Sequence, residues 1–216
     1  GLNQGAREYN TYVLGGDTCE ASDLIISCSA FGVGTKKHLM LRSGAKPGDC
    51  VAVTGLFGNT AAGLKILLGG LTAEPTMRKQ LVDAVLMPHA RVKEGVALAQ
   101  TGAITASIDS SDGLAWSLHE ISRASKVGFL IEKLPVDARV KEFARLHRLD
   151  PVELSLYGGE EYELVVTVKP MLWKKAQKAA SLIKIGSVTK ERALILRAGK
   201  KTISIEPRGW EHFKTH

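Results

Sequence analysis

Apolar positions along the chain follow two repeat lengths, and the switches between them mark the elements. From 103 to 108 (AITASI) the side chains alternate as in a strand, whereas Leu114, Leu118 and Ile121 recur at i, i+4 and i+7, one face of a helix. The same reading predicts strands over 12–14, 24–31, 50–54, 127–132, 161–169 and 182–189, and a hairpin over 193–205 turning at 198–201. Helices are predicted at the start of the chain (within 1–11), through Ala61 to Leu68, over 76–87 and 90–101 on either side of Pro88, and over 137–148 and 171–181. Lys46-Pro47-Gly48-Asp49 punctuates the chain, and a domain boundary is expected close to Pro47.

Strands and helices alternate, so the expected class is α/β or α+β. With 216 residues, 44% of them hydrophobic, the chain can bury a substantial core. Runs such as Leu24-Ile25-Ile26 are far too short to span a bilayer, and the opening Gly1-Leu2-Asn3-Gln4 has neither the basic nor the apolar region of a secretory signal. Cys19, Cys28 and Cys50 form an odd set without metal-binding spacing, which points to buried, reduced thiols in a cytosolic protein. The net charge of +7 suits phosphorylated small ligands better than nucleic acid. Its densest patches, Lys36-Lys37-His38 and Lys200-Lys201, are short and not interleaved with aromatics.

The segment Ser107-Ile108-Asp109-Ser110-Ser111-Asp112-Gly113 carries the strongest chemical signal, since it joins a strand to a helix start. One acid there is explained by capping free amides. A second is not, and hard divalent cations favour carboxylate oxygens shared with substrate phosphates. Gly15-Gly16-Asp17-Thr18 is either an ordinary turn or a backbone cradle beside a metal ligand. Gly55-Leu56-Phe57-Gly58-Asn59-Thr60 lacks the lysine of a phosphate loop and reads as a turn. Gly158-Gly159-Glu160-Glu161-Tyr162-Glu163 is either a solvated acidic turn or a turn that aims an acid at a cationic or hydroxylated substrate, in which case Glu160 is singled out, with Glu161 and Glu163 expected to be exposed. Arg42 is a candidate phosphate donor, and Trp210 either stacks on an aromatic ligand or closes the core.

Gly-Gly-Asp-Thr at 15–18, Leu-Arg-Ser-Gly-Ala-Lys-Pro-Gly-Asp at 41–49, Ile-Asp-Ser-Ser-Asp-Gly-Leu at 108–114, Gly-Gly-Glu-Glu-Tyr-Glu-Leu at 158–164 and Gly-Trp-Glu-His-Phe at 209–213 together resemble the thiamine-phosphate kinase family. That family is grouped with aminoimidazole ribonucleotide synthetase, selenophosphate synthetase and the hydrogenase maturation dehydratase. The resemblance covers the whole chain but only the later part of the enzyme. It implies a remnant of an N-terminal ATP-binding lobe over residues 1–46 and a complete C-terminal synthetase-type domain over residues 47–216.

The resemblance further implies that Asp17, Asp109 and Asp112 are magnesium ligands, that Gly16, Arg42 and Ser111 contact ATP, and that Glu160 and Trp210 contact thiamine monophosphate. The implied reaction is ATP- and Mg2+-dependent phosphorylation of thiamine monophosphate to thiamine diphosphate by a cytoplasmic homodimer. No general base is needed, because the acceptor oxygen is already anionic. Departures from the family pattern are Glu161 and Glu211 in place of Asp, Ser110 in place of an apolar residue, and Cys19 in place of Thr. The family's N-terminal segment, with further aspartates, has no counterpart here, so an inactive fragment is expected. The alternatives are a noncatalytic module binding a nucleotide or thiamine phosphate, and another ATP-using synthetase of the same group.

Overall fold

The computed structural model describes residues 1–199 and 201–210. The chain divides into two compact units, Gly1–Leu39 and Met40–His216.

In the larger unit seven strands form one sheet: β1 (Cys50–Val53), β2 (Ile104–Asp109), β3 (Gly128–Ile131), β4 (Leu164–Val168), β5 (Ile183–Thr189), β6 (Leu194–Ala198) and β7 (Lys201–Ser204). They are ordered β2-β4-β1-β5-β3-β6-β7. Every neighbouring pair is antiparallel except β3 with β6. The helices of this unit are α2 (Asn59–Leu67), α3 (Pro75–Leu86), α4 (Val92–Thr101), α5 (Leu114–Ser125), α6 (Ala138–His147), α7 (Pro151–Tyr157) and α8 (Trp173–Ala179). α1 (Leu2–Glu8) belongs to the smaller unit.

The period of two in β1 sorts its side chains between two cores. Val51 and Val53 join the cluster that includes Leu118 and Ile121 of α5, while Cys50 and Ala52 join the one that includes Leu98 of α4 and Ala176 of α8. Both faces of the sheet are therefore covered by helices, which is why β1 is buried along its whole length. A third cluster joins α2, α3, α6 and α7 through Ala62, Leu81, Phe143 and Leu154.

Most predicted elements of the larger unit match within two or three residues, including the β6–β7 hairpin turning at Gly199 (φ +62°). Helix α7 was not anticipated: Pro151 and the Asp150 cap begin it, yet its seven residues are too few to show a repeat. In the smaller unit the expected strands at 12–14 and 24–31 do not form, and its described residues make no ladder. Tyr12, Leu14, Leu24, Ile25 and Phe31 are exposed there, so alternation alone was not enough without a neighbouring strand to pair with. The cysteine expectation fails for two of three thiols, since Cys19 and Cys28 are exposed and only Cys50 is buried. No helix among the described residues is long and apolar enough to cross a membrane.

Candidate functional site

Strand β2 lies at one edge of the sheet and runs out at Asp109, and α5 begins five residues later. The junction turns through Gly113 at φ +110°, where a side chain would be strained and would press on the carbonyls of Leu156 and Gly158. Gly113 is the N-cap of α5, and no side chain caps that end. Capping therefore explains neither Asp109 nor Asp112. Neither carboxylate takes a hydrogen bond or ion pair from a described residue.

A cavity of about 270 Å³ opens at this junction, lined by Arg42, Asp109, Ser111, Asp112, Trp116 and Glu120 among others. Four of the sequence candidates thus share one cavity although residues 42 and 109 are far apart in the chain. Arg42 reaches Glu120 at 3.5 Å, and Glu120 also takes Arg123 at 2.9 Å. Ser117 Oγ donates to the carbonyls of Asp109 (3.2 Å) and Gly113 (3.0 Å), fixing the turn. Trp116, Ser117 and Glu120 escaped the sequence reading. The signal for Trp116 and Glu120 was their i, i+4 spacing on the face of α5 turned away from Leu114 and Leu118, whereas buried Ser117 left none.

Two distant segments are sewn to the same loop by main-chain bonds. The amide of Glu160 donates to the Ser111 carbonyl (2.6 Å), that of Tyr162 to Ser110 (3.1 Å), and that of Trp210 to Asp112 (3.0 Å). Glu160 and Tyr162 both adopt left-handed backbone, at φ +64° and +52°. Such strain in non-glycine residues persists only where the surroundings impose it, and it concentrates at functional sites. The Tyr162 phenol is held above its ordinary pKa, first by burial and then by the negative charge of Glu160, Asp109 and Asp112. Those three carboxylates therefore act on one point in space. Trp210 is 54% exposed, so it does not close the core. Glu211, His212 and Phe213 lie outside the described residues.

Glu161 and Glu163 correct the expectation of an exposed acidic pair. The left-handed turn at Tyr162 resets the chain direction just before β4, so counting alternate positions back from the strand fails. Glu163 is buried at 7% exposure and its carboxylate is gripped by Arg91 through Nε (2.8 Å) and Nη2 (2.6 Å), with the Thr54 hydroxyl at 2.6 Å. Glu161 Oε1 accepts from the amides of Gly58 (2.6 Å) and Thr60 (3.2 Å) at the start of α2. Burial nevertheless outweighs those donors and pushes its pKa up to about 7. That contact also bears on the reading of the Gly55–Thr60 loop: the amides of Gly58 and Thr60 go to an internal carboxyl and that of Phe57 to the Pro135 carbonyl rather than to phosphate.

Gly16 and Asp17 belong to the smaller unit. Gly16 has nothing within contact of where a Cβ would stand, and the Asp17 carboxylate accepts from the Thr18 amide at 2.9 Å. Among the described residues no group of three or more His, Cys, Asp or Glu side chains is arranged to hold a metal ion. The larger unit offers two carboxylates on one cavity that no described residue pairs, a donor set that suits a hard dication whose remaining ligands are water and phosphate oxygens.

The family model for AIR synthase related protein, C-terminal domain, matches residues 46–199. Thiamine-monophosphate kinase of Pyrococcus abyssi is 37% identical over 215 residues, which is 98% of this chain and 64% of that protein. The enzyme of the same name from Nitrosopumilus maritimus is 34% identical, over 99% of this chain and 68% of its own length. Among solved structures, AaThiL complexed with AMPPCP and TMP superposes with a TM-score of 0.70 at 30% identity, covering 81% of this chain and 54% of that one. The chain thus spans about two thirds of the length of the curated relatives it matches. With its AIR synthase-type C-terminal domain, the chain belongs to the thiamine-monophosphate kinase family.

Proposed function

We propose that this chain supplies much of the site in which the γ-phosphoryl group of ATP passes to thiamine monophosphate, giving thiamine diphosphate and ADP. The supporting observation is the convergence of Arg42, Ser111, Asp109 and Asp112 on one cavity, the two carboxylates without a partner among the described residues, with Glu160 and Trp210 fastened to the same loop. A solved relative complexed with AMPPCP and TMP supports this choice of ligands.

In this reading residues 1–46 belong to an ATP-binding lobe carrying Gly16 and Asp17, and residues 47–216 form the C-terminal domain. Asp109 and Asp112 would hold Mg2+, which when bound supplies positive charge against the crowded phosphate oxygens, and the family resemblance gives Asp17 a magnesium-ligand role as well. Arg42 adds a fixed cation with two parallel donors suited to a phosphate. Ser111 donates from the loop that the Glu160 amide holds rigid. Glu160 places negative charge beside a cationic thiazolium, and Trp210 brings an aromatic ring suited to it. No side chain has to remove a proton, so positioning and charge do the catalytic work. The family resemblance extends the reading to a cytoplasmic homodimer.

The test is a coupled ADP assay on the complete gene product. Turnover with thiamine monophosphate is expected to fall by about 10²–10³-fold in Asp112→Asn, with thiamine monophosphate binding retained by calorimetry. Turnover with a different acceptor and none with thiamine monophosphate overturns the substrate. Ligand binding without turnover in the unsubstituted protein leaves a noncatalytic module in its place.

A further inference from the structure

Beyond Ile205, which belongs to the first apolar cluster, the path of residues 206–210 toward Trp210 is not accounted for by the sheet or by the apolar clusters. Ile205 is buried, bonds through its amide to Leu194, and presents its carbonyl to His119 Nε2 at 2.8 Å. The Glu206 amide then meets the Tyr157 hydroxyl at 3.3 Å, and the Arg208 amide closes a tight turn on the Glu206 carbonyl at 2.8 Å. That turn delivers the Arg208 guanidinium onto the Tyr157 ring, 3.9 Å from its centroid. The guanidinium also forks onto Glu153 of α7 through two bonds of 2.9 and 3.0 Å. Stacking and bidentate pairing need the flat, five-donor shape that arginine alone provides.

Gly209 follows, seated so closely on the Asp112 carbonyl and on Trp116 that a Cβ there would collide with the carbonyl. The next amide, that of Trp210, bonds the same Asp112 carbonyl. Arg208 and Glu153 are each about half exposed, and an exposed pair of this kind contributes little to global stability. Its effect is local, fixing where the segment crosses α7 and the Asp109–Asp112 turn.

We propose that residues 205–210 form a latch, in which Arg208 locked on Tyr157 and Glu153, and Gly209 seated on Asp112, are positioning residues that present Trp210 to the substrate. The latch rests on the reading of Trp210 as a thiamine monophosphate contact. It also ties that contact to the turn carrying Asp109 and Asp112 through the shared Asp112 carbonyl.

The experiment compares Arg208→Ala, Gly209→Ala and Trp210→Ala in the complete gene product, by steady-state ADP release and by amide hydrogen exchange at Trp210. Arg208→Ala is expected to raise KM for thiamine monophosphate roughly five- to tenfold. Its kcat and its KM for ATP should stay within about twofold, and exchange at Trp210 should speed up with the thermal midpoint unchanged. Gly209→Ala gives the same split with a larger change in exchange. An unchanged KM in Arg208→Ala, beside a raised KM in Trp210→Ala, overturns the latch alone. An unchanged KM in both removes the reading of Trp210 and the latch with it, and unchanged exchange at Trp210 overturns the latch whatever the kinetics.

Discussion

Ser110 is fully buried between two residues of the candidate site, and its hydroxyl has no hydrogen-bond partner among the described residues. Its main-chain groups are satisfied, the amide by the Glu163 carbonyl and the carbonyl by the Tyr162 amide. A desolvated, unpaired hydroxyl costs free energy that a methyl group does not. Ser110→Ala is therefore expected to raise stability by about 1 kcal/mol, seen as a rise of roughly 2–4 °C in the melting temperature. Turnover should be preserved, because the turn is held by its backbone. A loss of stability would mean that the hydroxyl meets a partner in solution. At this same scale the sequence reading did well with residues whose type carries the chemistry, such as Asp109, Asp112 and Arg42. It failed for Glu163, because burial of an acid depends on Arg91 and Thr54, each supplied by a distant part of the chain.

Between elements, the decisive contact is the one from Glu161 to the start of α2, which anchors the strained 158–163 turn to the third apolar cluster. Burial is the main cause of its raised pKa, and the amides of Thr60 and Gly58 only partly offset it. An acid whose pKa is higher folded than unfolded holds its proton more tightly in the native state. Between pH about 4.5 and about 7 the native state thus binds more protons, so stability falls as pH rises through that window and stays low above it. Comparing urea midpoints of the unsubstituted chain and Glu161→Gln isolates this group. The two should agree near pH 4.5, and the Gln variant should be more stable at pH 8 by about 1–3 kcal/mol. Equal stability at pH 8 would show that the carboxylate is already tolerated there. None of this was legible beforehand. The loop at 55–60 reads as a turn, and nothing in its letters says that a carboxyl 101 residues away fills its amides.

For the whole molecule, all three apolar clusters draw their buried residues from positions 45–205, and no residue of Gly1–Leu39 is buried. A chain lacking residues 1–39 should therefore unfold cooperatively in urea, with a free energy within about 15% of the 216-residue chain, the error of the extrapolation itself. A broadened or absent transition would show that the larger unit depends on the smaller. The amino-acid sequence by itself determined the elements of Met40–Ser204 other than α7, and the acids at the end of β2, because local periodicity and residue chemistry do not need the rest of the chain. It could not determine the strand order of the sheet, the enclosure of Glu161 and Glu163 by distant partners, or the failure of residues 12–31 to pair. Each of those is a choice of neighbour, and only folded packing decides which polar groups lose water and which partners repay that loss.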